Sequence, residues 1–134
     1  MSLKLPVAAA VAVAALSLAG GATAATNHAS CSDVGFVAQA STSTTQTSTA
    51  LGFMGPEAYR SSEAWALRSW QTMKGTAPCR PTYQRFRQYS LNASAALWRA
   101  SKSLRSGNLT AAESYLGQAG KWTDRAGAEQ ATWA

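Results

Sequence analysis

Between Tyr83 and Ala131 one spacing recurs and limits what this chain can become. Tyr83, Phe86, Ser90, Ala93, Leu97, Ala100 and Leu104 alternate steps of three and four, which keeps them on a single stripe of a helix. After the turn Ser106-Gly107-Asn108-Leu109 the same alternation resumes through Ala112, Leu116, Ala119, Thr123 and Ala126. Two stripes joined by so short a turn must face each other as an antiparallel helical hairpin. Leu91 and Trp98, seven apart and off the first stripe, widen its apolar face enough to touch a second neighbour.

Terminal signals agree with this hairpin. Thr82 can cap the first of its helices, Lys102 and Arg105 suit the negative end of its dipole, and Gly107 can close it. Thr110 and Glu113 have the spacing of a capping box. Gly117, Gly120 and Gly127 fall inside the second helix, each at a cost of about 1 kcal/mol relative to alanine. A close approach of the neighbouring backbone would offset that cost, and the alanines opposite fit it. A ligand pressed against bare backbone is the functional alternative.

Upstream, Ser30-Cys31-Ser32-Asp33 spaces a serine and a carboxylate for reciprocal capping. Val34, Val37, Ser41, Thr44, Ser48 and Leu51 continue a seven-residue period through a run of hydroxyl residues. Threonine is a poor helix former, so residues 41–49 also fit a sugar-bearing linker. The unbroken period without proline or glycine favours a helix. Gly55-Pro56-Glu57 then restarts a helix with proline in its first turn. Tyr59, Ala66, Trp70 and Met73 form its inner stripe, with Trp65 and Leu67 alongside and Gly75 at its end. The prolines flanking Cys79 make residues 76–81 a loop across one end. The expected helices span approximately 32–51, 56–74, 82–106 and 110–131. The fold is therefore all-α: a small antiparallel four-helix bundle, up-down-up-down, following an N-terminal signal peptide.

The leader is read from residues 1–24. Lys4 supplies a positive start, Val7 to Ala19 is an apolar run with one serine, and Ala22-Thr23-Ala24 offers a small-residue cleavage site. As a helix the run spans only about 20 Å, short of a bilayer core. A Sec-type signal peptide cleaved near Ala24 or Ala25 is the expectation, with one domain at 25–134 and a secreted or extracytoplasmic location. An uncleaved anchor is the alternative. Alanine abundance and arginine in preference to lysine hint at a bacterial source. Export gives Cys31 and Cys79 one expected use, a disulfide. Helices of similar length running up and then down return Cys79 to the end where Cys31 began.

The chain carries 12 basic and 6 acidic residues, a formal charge of +6. Removal of the leader with Lys4 leaves it basic, a balance that suits anionic surfaces: envelope polymers, phospholipid head groups or nucleic acid. Lys74, Arg80, Arg85 and Arg87 converge on the expected Cys79 end beside Tyr83 and Tyr89. They are the candidate contacts with an anionic partner. A solvated rim serving helix dipoles is the preferred reading of these residues, because the charges are sparse for nucleic acid.

Catalytic raw material is thin. The one histidine, His28, falls in an expected loose tail, and Glu57 and Glu63 point in different directions on one helix. Cys31 and Cys79 lack metal-ligand spacing. No catalytic residue, cofactor or metal ligand is assigned. An electrostatic helical site drawn from Arg60, Glu63, Arg85 and Arg87 is the least favoured reading. Five tryptophans, Trp65, Trp70, Trp98, Trp122 and Trp133, are expected mainly in half-buried seams. An interhelical groove carrying a lipid or haem, oriented by Tyr59, is the alternative. The sequence thus points to a secreted, non-enzymatic binding or interaction module whose partner it does not identify, with an anionic envelope polymer or surface first in line and another protein beside it.

Overall fold

The computed structural model describes residues 30–133, so the leader and His28 lie outside the described residues. Four helices follow in order: α1 (Phe36–Gly52), α2 (Tyr59–Lys74), α3 (Pro81–Arg105) and α4 (Leu109–Gln130). All four lie in one compact unit, Ser32–Ala134. Consecutive helices pack antiparallel, and the residue pairs that bridge them run in opposite directions: Ser62 to Ala50 and Ser43 to Ser69 between α1 and α2, Arg87 to Met73 and Arg105 to Glu63 between α2 and α3. Helix α3 is the hub. It packs against each of the other three helices, α1 also packs on α2, and α4 packs on α3. Among the described residues the fold is the expected four-helix, up-down-up-down bundle, with no strand.

The α3 stripe is as read down to its last member: Tyr83, Phe86, Ser90, Ala93, Leu97 and Ala100 are all buried, and Leu104 is half-buried. On α4, Ala112, Ala119 and Ala126 are buried, whereas Thr123 is exposed. Helix α1 corrects the reading. Its buried residues are Phe36, Ala40, Ser43 and Ala50, while Val34, Val37 and Leu51 of the expected seam are 92%, 51% and 45% exposed. Both registers alternate threes and fours. The observed one places small residues where α2 and α3 also present small residues, so three backbones approach closely.

Four hydroxyls hold that approach at mid-height. Ser69 Oγ lies 2.8 Å from Ser43 Oγ and 2.8 Å from Thr47 Oγ1, and it accepts from Ser94 Oγ at 2.9 Å. This layer separates two apolar clusters. Phe36, Ala40, Met73, Tyr83, Phe86, Leu91 and Ala126 lie on the cysteine side. Ala50, Ala66, Ala96, Leu97 and Ala119 lie on the other. The hydroxyl-rich run is helical throughout, because its side chains find partners without unwinding the backbone. Thr42, Thr44 and Thr49 donate to carbonyls four residues back, and Gln46 accepts from Thr72 of α2.

The helix ends differ in detail from the sequence reading. Asp33 does not cap its own helix, which begins after Gly35 in the left-handed region at φ 76°. Its Oδ1 instead accepts from the backbone N–H groups of Cys79, at 2.7 Å, and Arg80, at 3.2 Å, at the start of α3. Pro56 lies in a turn, and α2 starts three residues later than the Pro56 signal implies. Pro81 occupies the first turn of α3, so Thr82 is not its cap. Asn108 rather than Thr110 caps α4, accepting from Ala111 N–H at 3.0 Å. The expected close packing at Gly117, Gly120 and Gly127 is absent: a Cβ built on any of them meets nothing within 4 Å. Those glycines face away from α3, the one helix that α4 packs against.

Candidate functional site

The cysteine end is built by three constraints that act together. Cys31 and Cys79 form the expected disulfide. Asp33 accepts from the backbone N–H groups of Cys79 and Arg80, and Ser32 N–H donates to the Ala77 carbonyl at 2.8 Å. Beneath them the Phe36 ring stacks on Tyr83 with centroids 4.8 Å apart, and Trp133 packs edge-on against Tyr83 and Phe86. Trp133 Nε1 donates to Thr82 Oγ1 at 2.9 Å, which ties the residues after α4 to the start of α3.

Around this end the four candidate cations each have an intramolecular role. The Arg87 guanidinium donates to the carbonyls of Met73, at 3.0 Å, and Lys74, at 3.2 Å, the last carbonyls of α2. Burial pushes its pKa below the usual arginine value, and the negative end of the α2 dipole favours the charged form there. Arg85 pairs with Glu129 of α4 at 2.8 Å. Their hydrogen bond raises the Arg85 pKa and holds the Glu129 carboxyl below the usual range, with Thr82 as a second donor to Glu129. Arg80 lies over the Tyr83 ring and donates to its hydroxyl at 3.1 Å. Lys74 lies over the Trp70 ring, 5.5 Å from its centroid.

The four residues therefore do not form one cluster. Arg85 faces α4, whereas Lys74 and Arg87 meet at the end of α2. The same geometry separates the set Arg60, Glu63, Arg85 and Arg87, since Glu63 pairs with Arg105 at 3.4 Å. Among the described residues no group of three or more His, Cys, Asp or Glu side chains is arranged to hold a metal ion.

A broader pattern emerges from the tryptophans. Trp65, Trp70, Trp98 and Trp122 are all half-buried, and each has a cation from its own helix over its ring: Arg68 at 4.5 Å, Lys74 at 5.5 Å, Lys102 at 4.4 Å and Arg125 at 4.9 Å. The spacings W-x-x-x-K at 70 and 98 and W-x-x-R at 65 and 122 were available in the sequence. They place ring and cation one helical turn apart. Reading the tryptophans as seam residues and the cations as an end cluster hid this pairing, and with it Lys102.

The charges are divided by helix. Helix α1 has no charged side chain, and α4 has Lys121 and Arg125 against Glu113, Asp124 and Glu129. Helix α3 has Arg85, Arg87, Arg99, Lys102 and Arg105 with no acid, and α2 has Arg60, Arg68 and Lys74 against Glu63. The positive excess thus belongs to α2 and α3. Fold and surface together define a small all-α bundle, stapled at one end and basic along one pair of helices. No family model, curated protein or solved structure matches the chain.

Proposed function

We propose that this protein is an exported, non-enzymatic binding module of the cell envelope or extracellular space, and that its partner is anionic. The observation that carries this reading is the segregation of charge. Five cations and no acid on α3, with three cations against one acid on α2, put the positive excess on this pair of helices. The interior supports a binding scaffold more than a carrier or a catalyst. At mid-height the hydroxyls of Ser43, Ser69 and Ser94 spend their hydrogen bonds on one another and on backbone carbonyls.

Export is supported by the leader pattern and by the disulfide, which persists in oxidising compartments. Among the described residues no helix is long and apolar enough to cross a membrane. In a secreting bacterial host the recovered protein is expected to begin near Ala25 with no free thiol. Full-length protein retaining Lys4 and two free thiols would count against export.

The anionic partner is tested on a sulfated-polysaccharide matrix. Retention is expected to fall steeply with salt, whereas a cationic matrix should retain nothing. Elution from both with the neutral-protein fraction would remove the reading.

A further inference from the structure

We infer that the outer face of α2 and α3 docks on the surface of an anionic phospholipid bilayer. The inference rests on the anionic-partner reading above and names the partner.

The face is fixed by what covers the other sides of these helices. Helix α2 meets α1 through Ser62 and Ser69 and meets α3 through Met73 and Glu63. Helix α3 meets α4 through Arg85, paired with Glu129, and Tyr89, stacked on Trp122. The remaining flank of α2 carries Arg60, Leu67 and Lys74 at intervals of seven, all exposed, with Leu67 39% exposed. On α3 the corresponding flank carries Ala95, Arg99 and Lys102. Trp70 and Trp98 lie half-buried below their lysines on the same flank, anchored in the cysteine-side and far-side clusters respectively. The acid at the margin, Glu63, is paired with Arg105.

Two features of this face favour a bilayer over a soluble polyanion. Its cations are dispersed: Arg60 and Lys74 are fourteen residues apart, about 21 Å along α2 from the rise of a helix, which matches a sheet of single head-group charges better than one line of closely spaced phosphates. They also alternate with apolar groups that sit at the protein surface. Tryptophan with one wet edge, next to lysine and an exposed leucine, is the composition of a membrane-interface anchor.

The test uses the whole oxidised protein and vesicles of phosphatidylglycerol with phosphatidylcholine, against vesicles of phosphatidylcholine alone. Cosedimentation with the anionic vesicles only is expected, with tryptophan emission shifted to the blue and quenched by brominated acyl chains. Arg60→Glu with Lys74→Glu, or Arg99→Glu with Lys102→Glu, should weaken partitioning by at least about 25-fold, from roughly fivefold per cation removed. Lys121→Glu with Arg125→Glu on α4 makes the same charge change and should weaken it by less than about threefold. Equal losses on both sides would overturn the inference, because net charge rather than this face would then govern binding. Absence of vesicle binding by the unaltered protein, with salt-dependent retention on the sulfated matrix intact, would overturn the docking surface alone. Absence of both would overturn the anionic-partner reading with it. Quenching is measured on the unaltered protein, so its absence counts against docking whether or not a variant folds.

Discussion

Breaking the Cys31–Cys79 bridge should destabilise this bundle without changing its fold. The bridge closes a loop of roughly 50 residues, from 31 to 79. Chain-entropy arguments put the denatured-state restraint of such a loop at about 4 kcal/mol. In the folded state the same ends are also held by Asp33, which accepts from Cys79 and Arg80 N–H, and by the Ser32 to Ala77 hydrogen bond. The native geometry should therefore survive the cut while the unfolded chain gains freedom. For a domain near 100 residues, about 4 °C of Tm per kcal/mol gives a fall of roughly 15 °C. Cys31→Ser with Cys79→Ser, followed by circular dichroism against temperature and urea, measures it. Helical content at 20 °C should be unchanged and the urea midpoint should drop. A Tm change below about 5 °C would refute the reasoning, since loop closure would then contribute little. Loss of helicity at 20 °C would refute it in the other direction, by showing that Asp33 and Ser32 cannot hold the end alone.

Other consequences are separable from the bridge. Ser69→Ala removes the shared partner of Ser43, Thr47 and Ser94; it should cost about 1–3 kcal/mol in urea unfolding, and a neutral result would mean the layer rearranges around its loss. Phe36→Ala should cost about 3–5 kcal/mol while Val37→Ser costs under about 0.5; a reversed order in thermal melts would restore the seam that contains Val37. Gly117→Ala, Gly120→Ala and Gly127→Ala each add a methyl in open space and should raise stability by about 0.4–1 kcal/mol apiece; a fall in Tm at any of them would reveal a contact made on that face. The folded pKa of Glu129 lies below its unfolded value, chiefly through Arg85. Its contribution is thus present above the unfolded pKa and lost as pH falls through the folded one, and Glu129→Gln should flatten that acid limb of a Tm-against-pH curve.

The parts of the fold that were legible in the sequence are those where one stripe had no rival. On α3 the large members Tyr83, Phe86 and Leu97 fall on the same stripe as the alanines, so hydrophobicity and period agree. On α1 they conflict. A scale of apolarity picks Val34, Val37 and Leu51, but those positions would push branched side chains against Ser62, Ser69 and Ser94. The chain instead buries Phe36 at the wide, aromatic end and Ala40, Ser43 and Ala50 where the helices converge. A single-helix pattern cannot express that choice, because it depends on the size of residues contributed by two other helices. The glycines of α4 follow similarly. They are compatible with close packing in the sequence, but an edge helix that touches one neighbour has a buried face one alanine wide, and the glycines lie off it.

The candidate surface was only partly legible for a different physical reason. Local sequence places charges at helix ends, where the dipole gives them an obvious use, and this drew attention to Lys74, Arg80, Arg85 and Arg87. Once the helices pack, two of those charges are committed: Arg85 to Glu129 and Arg87 to the carbonyls ending α2. A cation that completes a structural contact has less freedom to meet a partner than one lying over a ring at the surface. Lys74 and Lys102 are of the second kind, and with Arg60 and Arg99 they are carried on faces that α1 and α4 leave uncovered. On the proposed anionic-partner reading, stability and binding fall to different cations. Substituting Arg85 should chiefly move the melting curve, whereas substituting Lys102 should chiefly move affinity for the anionic partner.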